Sequence, residues 1–190
     1  MIKQKKTLIF ILFIFIFSAA SESIYAQKNA SEIVNENYKF TFIIPQDAFN
    51  MRKEENSGKT AITYEFETIS GKDTIGVMLL AFKWPDIKKL NDFVYLMEKE
   101  VTLDIPQRIG DYEEFDSVYY DGKFAVYKNK VLSHLIYYYR TKDESSENNF
   151  TYLLRFKVFS KSFDDRLLQY VREVAGNFNP RKVIDPEMSD

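Results

Sequence analysis

His134 is the only histidine and cysteine is absent, so imidazole acid–base or nucleophilic chemistry has to run through one residue, and a structural zinc site has too few ligands. The residue sits among Leu132, Leu135, Ile136 and three tyrosines, where a satisfied sheet histidine is the ordinary reading. Oxygen ligands for calcium or magnesium are densest at Asp111, Glu113, Glu114 and Asp116, but these lack EF-hand spacing and its glycine and read as a solvated acidic edge. Glycoside hydrolysis needs only two carboxylates on facing elements, and spacing along a chain does not single out such a pair. Glycines 58, 71, 76, 110, 122 and 176 form neither G-x-G-x-x-G nor a Walker motif, so no nucleotide pocket is signalled. No catalytic residue, metal ligand or cofactor is expected from these patterns.

Tyrosine is the residue type that invites a binding role. Tyr137, Tyr138 and Tyr139 form a run, with Tyr119 and Tyr127 close by in sequence. In a strand Tyr138 faces one side and its two neighbours the other. A face carrying these rings and turned away from any helix would make an aromatic recognition patch; the plainer reading is cross-strand pairs that cover a sheet. Trp84, before Pro85, reads as a residue at the edge of the core. Asp73-Thr74-Ile75 and Asp116-Ser117-Val118 match a short pattern that some bacteria use for O-glycosylation of exported proteins.

Periodicity supplies the elements that must position these residues. Tyr38 to Ile44 reads as a strand stopped by Pro45, and Thr60 to Ile69 as a strand with one wet face. Ser70-Gly71-Lys72-Asp73 turns into a more evenly apolar strand from Thr74 to Trp84. Leu90, Phe93, Val94, Met97 and Val101 recur at helical spacing. Tyr112 to Tyr120 and Lys123 to Asn129 flank Asp121-Gly122, which reads as a two-residue type I′ turn. Leu132 to Thr141 and Phe150 to Phe159 are strands joined by the polar loop 143–149. A closing helix starts from a Ser162 cap and ends at Gly176 or Asn177 before Pro180. The order β-β-β-α-β-β-β-β-α predicts an α+β domain, an antiparallel sheet of about six or seven strands with helices packed against it.

The first residues read as an address. Lys3, Lys5 and Lys6 precede a ten-residue apolar run, Leu8 to Phe17, and small residues follow. A spanning helix needs about 20 apolar residues, so a cleaved secretory signal is expected, with the cut after Ala26 or, since Ile24 is a loose fit to the small-residue rule, after Ala20. Without cysteine no lipid anchor is expected, and membrane contact is expected only through an uncleaved signal. The expected division is a signal peptide at 1–26, a polar lead at 27–37, one domain at 38–180 and a frayed tail at 181–190. The destination is the periplasm or the extracellular space of a bacterium. Removing the signal takes the net charge from −2 to −4, which gives no basis for a nucleic-acid partner. With no disulfide, stability has to come from packing, and the 13 phenylalanines and 12 tyrosines beyond Ala26 are the means.

The strand Tyr38-Lys39-Phe40-Thr41-Phe42-Ile43-Ile44-Pro45, the segment Asp121-Gly122-Lys123-Phe124-Ala125, and the closing helix with Asn177-Phe178-Asn179-Pro180 together resemble the PsbP-like family of small exported proteins. That resemblance implies an α-β-α sandwich around an antiparallel sheet, and members that mostly bind partners or assist assembly without catalysing a reaction. It carries over no metal ligand or catalytic residue. The functional expectation is an exported, non-enzymatic binding or accessory protein acting through a tyrosine-rich sheet surface on a protein or small ligand. The alternatives are a carboxylate-based, glycan-directed hydrolase and a binder of a small apolar ligand.

Overall fold

The computed structural model describes residues 32–101, 103–142 and 149–180; the signal and its Ala26 cleavage point, the polar tail and most of the loop after Thr141 lie outside them. Ten strands and two α-helices follow in the order β1 (Glu32–Asn35), β2 (Phe40–Ile43), β3 (Phe49–Glu55), β4 (Ala61–Ser70), β5 (Asp73–Lys83), α1 (Leu90–Lys99), β6 (Arg108–Asp116), β7 (Tyr120–Lys128), β8 (Leu132–Thr141), β9 (Phe150–Phe159), α2 (Asp165–Gly176) and β10 (Phe178–Pro180). Seven strands form one antiparallel sheet ordered β3-β4-β5-β9-β8-β7-β6, and three form a second ordered β1-β2-β10. The α+β architecture read from periodicity is present, with this small second sheet added.

Period-two side-chain alternation divides the large sheet into two faces. Ile62, Tyr64 and Phe66 of β4, Leu79 of β5, Tyr137 and Tyr139 of β8, and Leu154 and Phe156 of β9 point inward, where the small sheet and α2 cover them in one continuous core. Leu80, Phe82, Ile136, Tyr138 and Leu153 point outward and meet Leu90, Phe93, Val94 and Met97 of α1. The result is three layers with the large sheet in the middle, α1 on one side and the small sheet with α2 on the other, so the α-β-α sandwich that the resemblance implies is present only as a broader α+β layering. A helix of ten residues is about 15 Å long, too short to span seven strands, so α1 covers only part of the outer face.

Several sequence expectations shift. The polar lead contains β1, which is too short and too polar to show a period, and the first predicted strand is confined to Phe40–Ile43 because Lys39 turns the chain with φ 52°. Charged β3, an edge strand with a register shift at Asn50, escaped notice for the same lack of apolar pattern. After α2 the chain does not simply stop; Phe178–Pro180 pairs with β2. The α2 cap is Asp164, whose carboxylate accepts from the Leu167 amide at 2.8 Å, and Ser162 belongs to a separate 3₁₀ turn.

The largest correction concerns Asp121-Gly122. Both residues lie inside β7, paired with Asp116 and Phe115 of β6, and the turn is at Ser117–Tyr119, where the Ser117 hydroxyl accepts from the amides of Tyr119 and Tyr120. Positive φ among the described glycines occurs at Gly71 (64°), in the β4–β5 turn, and at Gly110 (72°), in the β6 bulge. Gly122 is needed for space: a Cβ there would overlap the Phe115 ring, which packs on Tyr139 with centroids 5.5 Å apart. Gly122→Ala is therefore expected to cost about 1–3 kcal/mol by overpacking, read as a lower urea midpoint; an unchanged midpoint would refute this account of the glycine.

Candidate binding face of the large sheet

Beyond α1 the outer face mixes charged and apolar side chains. Direct cross-strand partners share a face, so the register places Glu67, Gly76, Lys157, His134, Tyr127 and Arg108 in one row from β4 to β6. The next row, nearer α1, runs Arg52, Glu65, Met78, Arg155, Ile136, Ala125. A shallow groove of about 250 Å³ lies where these rows meet, lined by Arg52, Glu65, Glu67, Gly76, Arg155 and Lys157. Farther from α1 the same face carries Ile69 (46% exposed) and Phe159 (56%). Charged side chains beside half-exposed apolar ones form a surface that can hold polar and apolar groups together.

The chain after α1 crosses this face as a strap. Arg155 reaches it with Nη1, donating to the Leu103 carbonyl at 2.7 Å, and Asp104 follows with φ 50°. His134 is 2% exposed and neither ring nitrogen has a hydrogen-bond partner. It is thus not the satisfied sheet histidine expected. Burial, then the nearby charges of Arg155 and Lys157, lower its pKa to about 4, against a smaller opposing pull from Asp104. At neutral pH the ring is uncharged, chiefly because it is buried, with the charges of Arg155 and Lys157 acting in the same direction.

A second groove of about 600 Å³ lies between the end of α1 and the start of β6, lined by Glu98, Lys99, Pro106, Gln107, Arg108 and Tyr127. Its inner wall is a phenol–carboxylate network. Tyr127 donates a short hydrogen bond to Glu98 Oε1, Tyr112 donates to the same oxygen at 2.6 Å, and the hydroxyls of Tyr127 and Tyr138 are 3.0 Å apart. Burial raises the pKa values of Tyr112, Tyr127 and Tyr138 above the ordinary phenol range, so these hydroxyls stay protonated and donate. The Arg108 guanidinium sits 3.9 Å from the Tyr112 ring centroid. With its carboxylate oxygen occupied by two phenols, this network anchors α1 and β6 to the sheet.

The five tyrosines expected to form a recognition patch do not do so. Tyr127, Tyr137, Tyr138 and Tyr139 are buried, and Tyr119 alone is exposed (50%), in the β6–β7 turn. Alternation along β8 holds as expected, but both of its faces are covered. Burial pushes Tyr137 up to about 12 and Tyr139 well above its usual value. Trp84 stacks on Phe82 at 4.3 Å, at the edge of the outer core. Of the acidic cluster, Glu113 pairs with Arg172, Glu114 with Lys123 and Asp116 with Lys142; each faces its own cation, so they do not converge. Thr74 of the first glycosylation-like triplet is exposed, whereas the Ser117 hydroxyl is engaged in its turn.

Arg155 and Lys157, which sequence reasoning passed over, alternate with Leu154, Phe156 and Val158 and so announced a wet face of β9. The alternation did not tell which distant residues share that face.

The sequence matches no protein-family model, and no curated protein matches it. Two solved structures are similar in fold. One, from Bacteroides thetaiotaomicron, is 13% identical with a TM-score of 0.46 over 80% of this chain; the chain spans about half (48%) of that protein's length. The other, LpqN of Mycobacterium tuberculosis, titled as involved in cell envelope biogenesis, is 10% identical with a TM-score of 0.42 over 85% of this chain and 91% of its own.

Proposed function

We propose that this chain is a non-enzymatic exported binding or accessory protein whose recognition surface is the half of the outer sheet face that α1 leaves bare. The observation that carries the reading is the combination there of Arg52, Arg155 and Lys157 in one groove with half-exposed Ile69 and Phe159 beside it. Half-exposed Ile69 and Phe159 flanked by polar and charged groups, arginine among them, suit a protein partner, since interfaces set apolar and aromatic side chains within a polar rim and are enriched in arginine. Export rests on the basic, apolar and small-residue order of Met1 to Ala26; among the described residues no helix is long and apolar enough to cross a membrane. Kinship with the PsbP-like family belongs to the same proposal, since the binding role and the layered fold are what that resemblance implies.

The hydrolase alternative has one observation in its favour, Glu65 and Glu67 in the same groove. They project side by side from a single strand, and glycoside hydrolysis needs carboxylates that flank the bond. Binding accounts better for such a row. The test is site-specific photocrosslinking in the producing cell from Ile69 and Phe159, with Tyr95, exposed on α1, as the reference position. Adducts are expected from the first two positions.

A further inference from the structure

The cations of the groove beneath Arg155 have carboxylates nearby but no direct ion pair among the described residues. Among the described residues no carboxylate oxygen lies within 4.0 Å of a side-chain nitrogen of Arg52, Arg155 or Lys157, whereas Arg140, Arg166, Arg172, Lys123 and Lys142 all have such partners. Glu67, which shares the groove, is engaged by the Asn50 amide at 2.6 Å. Glu65, and after it Asp104, are near enough to act on Arg155 through their charge, yet neither forms an ion pair with it. Arg155 is half-buried, and its one hydrogen bond to protein leaves from Nη1 to Leu103. A guanidinium presents five donors in a planar fork, so most of this one is unspent. Gly76, opposite Lys157 in the register, has no side chain to fill the space between Lys157 and Glu67.

We propose that this groove is an oxyanion site, in which Arg155, with Lys157 and Arg52 at its rim, receives a carboxylate or phosphate group of the bound partner. The inference rests on the bare outer face being the recognition surface and names the chemistry that the surface selects. Arg155 is held at one nitrogen by the strap, so its fork is pre-oriented and little side-chain freedom is lost on binding. Lys157 and Arg52, both exposed, add long-range attraction. An anion bound there would offset the charges of Arg155 and Lys157, which add to burial in holding the His134 ring neutral. Glu65 and Glu67 set the selectivity: they repel a second negative charge and favour a ligand whose anionic group is accompanied by a donor or a cation.

His134 offers a built-in reporter, because it is the chain's only imidazole and the register partner of Lys157. The purified protein is titrated at constant pH with inorganic phosphate and, separately, with acetate, and the His134 ring resonances are followed by NMR. Sodium chloride at matched ionic strength is the reference. Saturable movement with phosphate alone indicates a phosphoryl source, and with acetate alone or with both a carboxylate-tolerant site; each supports the proposal. In the double variant Lys157→Gln, Arg52→Gln, built at exposed positions so that folding is spared, affinity is expected to fall about tenfold or more, the scale of lost charge-assisted hydrogen bonds. Drift no greater than with chloride, or equal affinity in the variant, overturns the proposal. Crosslinking from Ile69 and Phe159 would still succeed in that event if the face binds a partner through those apolar side chains, so the two claims fail separately.

Discussion

Phe178→Ala is expected to destabilise the protein by about 3–5 kcal/mol, the range for deleting a buried phenylalanine ring. Phe178 is 4% exposed, and its ring centroid lies 5.0 Å from Tyr139, 5.3 Å from Tyr152, 5.6 Å from Phe40 and 5.8 Å from Phe42. Tyr139 and Tyr152 belong to the large sheet, while Phe40 and Phe42 belong to the small one. One ring therefore joins both layers, and β10, three residues paired only with β2, is too short to hold its place by backbone bonds. The hydroxyl of Tyr152, donating to the Tyr38 carbonyl at 2.8 Å, is the polar counterpart of the same junction. Urea unfolding followed by circular dichroism measures the effect, with Phe159→Ala, at a half-exposed position, expected to stay within about 0.5 kcal/mol. A loss below about 1 kcal/mol for Phe178→Ala would show that the small sheet is not held by this ring.

Acid is expected to destabilise the fold through His134. Its folded pKa, about 4, lies below the unfolded value of 6.5, so between the two the unfolded chain binds the extra proton. Stability is thus complete above about pH 6.5, declines as the pH falls from there, and levels off below about pH 4 as far as this residue is concerned. The shift corresponds to about 3 kcal/mol at most, at 1.36 kcal/mol per unit. The groups that face the ring are Arg155 and Lys157 of β9, Asp104 of the strap and the neighbouring Tyr127 of β7. Burial is the larger cause of the shift, and among the charges the cations outweigh Asp104. His134→Leu removes the titrating group together with two unpartnered nitrogens, so the decline between pH 6.5 and 4 is expected to flatten by that amount. An identical pH profile in the variant would assign the acid sensitivity elsewhere.

The central strands and both helices were legible because each has a buried side with a clear period. β4 alternates Ile62, Tyr64, Phe66 against Thr63, Glu65, Glu67, and α1 repeats Leu90, Phe93, Val94, Met97. β1, β3 and β10 were not, since a short or charged edge strand gains its place from its neighbour's hydrogen bonds and not from its own apolar pattern. Gly122 was misread because Asp-Gly signals a turn locally, whereas the glycine here makes room for a ring on the adjacent strand. The tyrosines were placed on the correct alternating sides; what alternation leaves open is whether something covers each side, and the small sheet, α2 and α1 do. The groove was hidden for a related reason. Arg52, Glu65 and Arg155 become neighbours only through the register of β3, β4, β5 and β9, a long-range relation with no local trace.

The central claim, that the bare half of the outer face is where this protein meets its partner, is tested most directly by the ratio of crosslinked adduct formed in cells from Ile69 to that formed from Tyr95. Both side chains are exposed, at 46% and 60%, so solvent access alone would favour Tyr95. The account predicts a discrete adduct from Ile69 in several-fold excess over any from Tyr95, diminished when Lys157 is replaced by glutamate. Equal yields from the two positions, or adducts from Tyr95 alone, would contradict it.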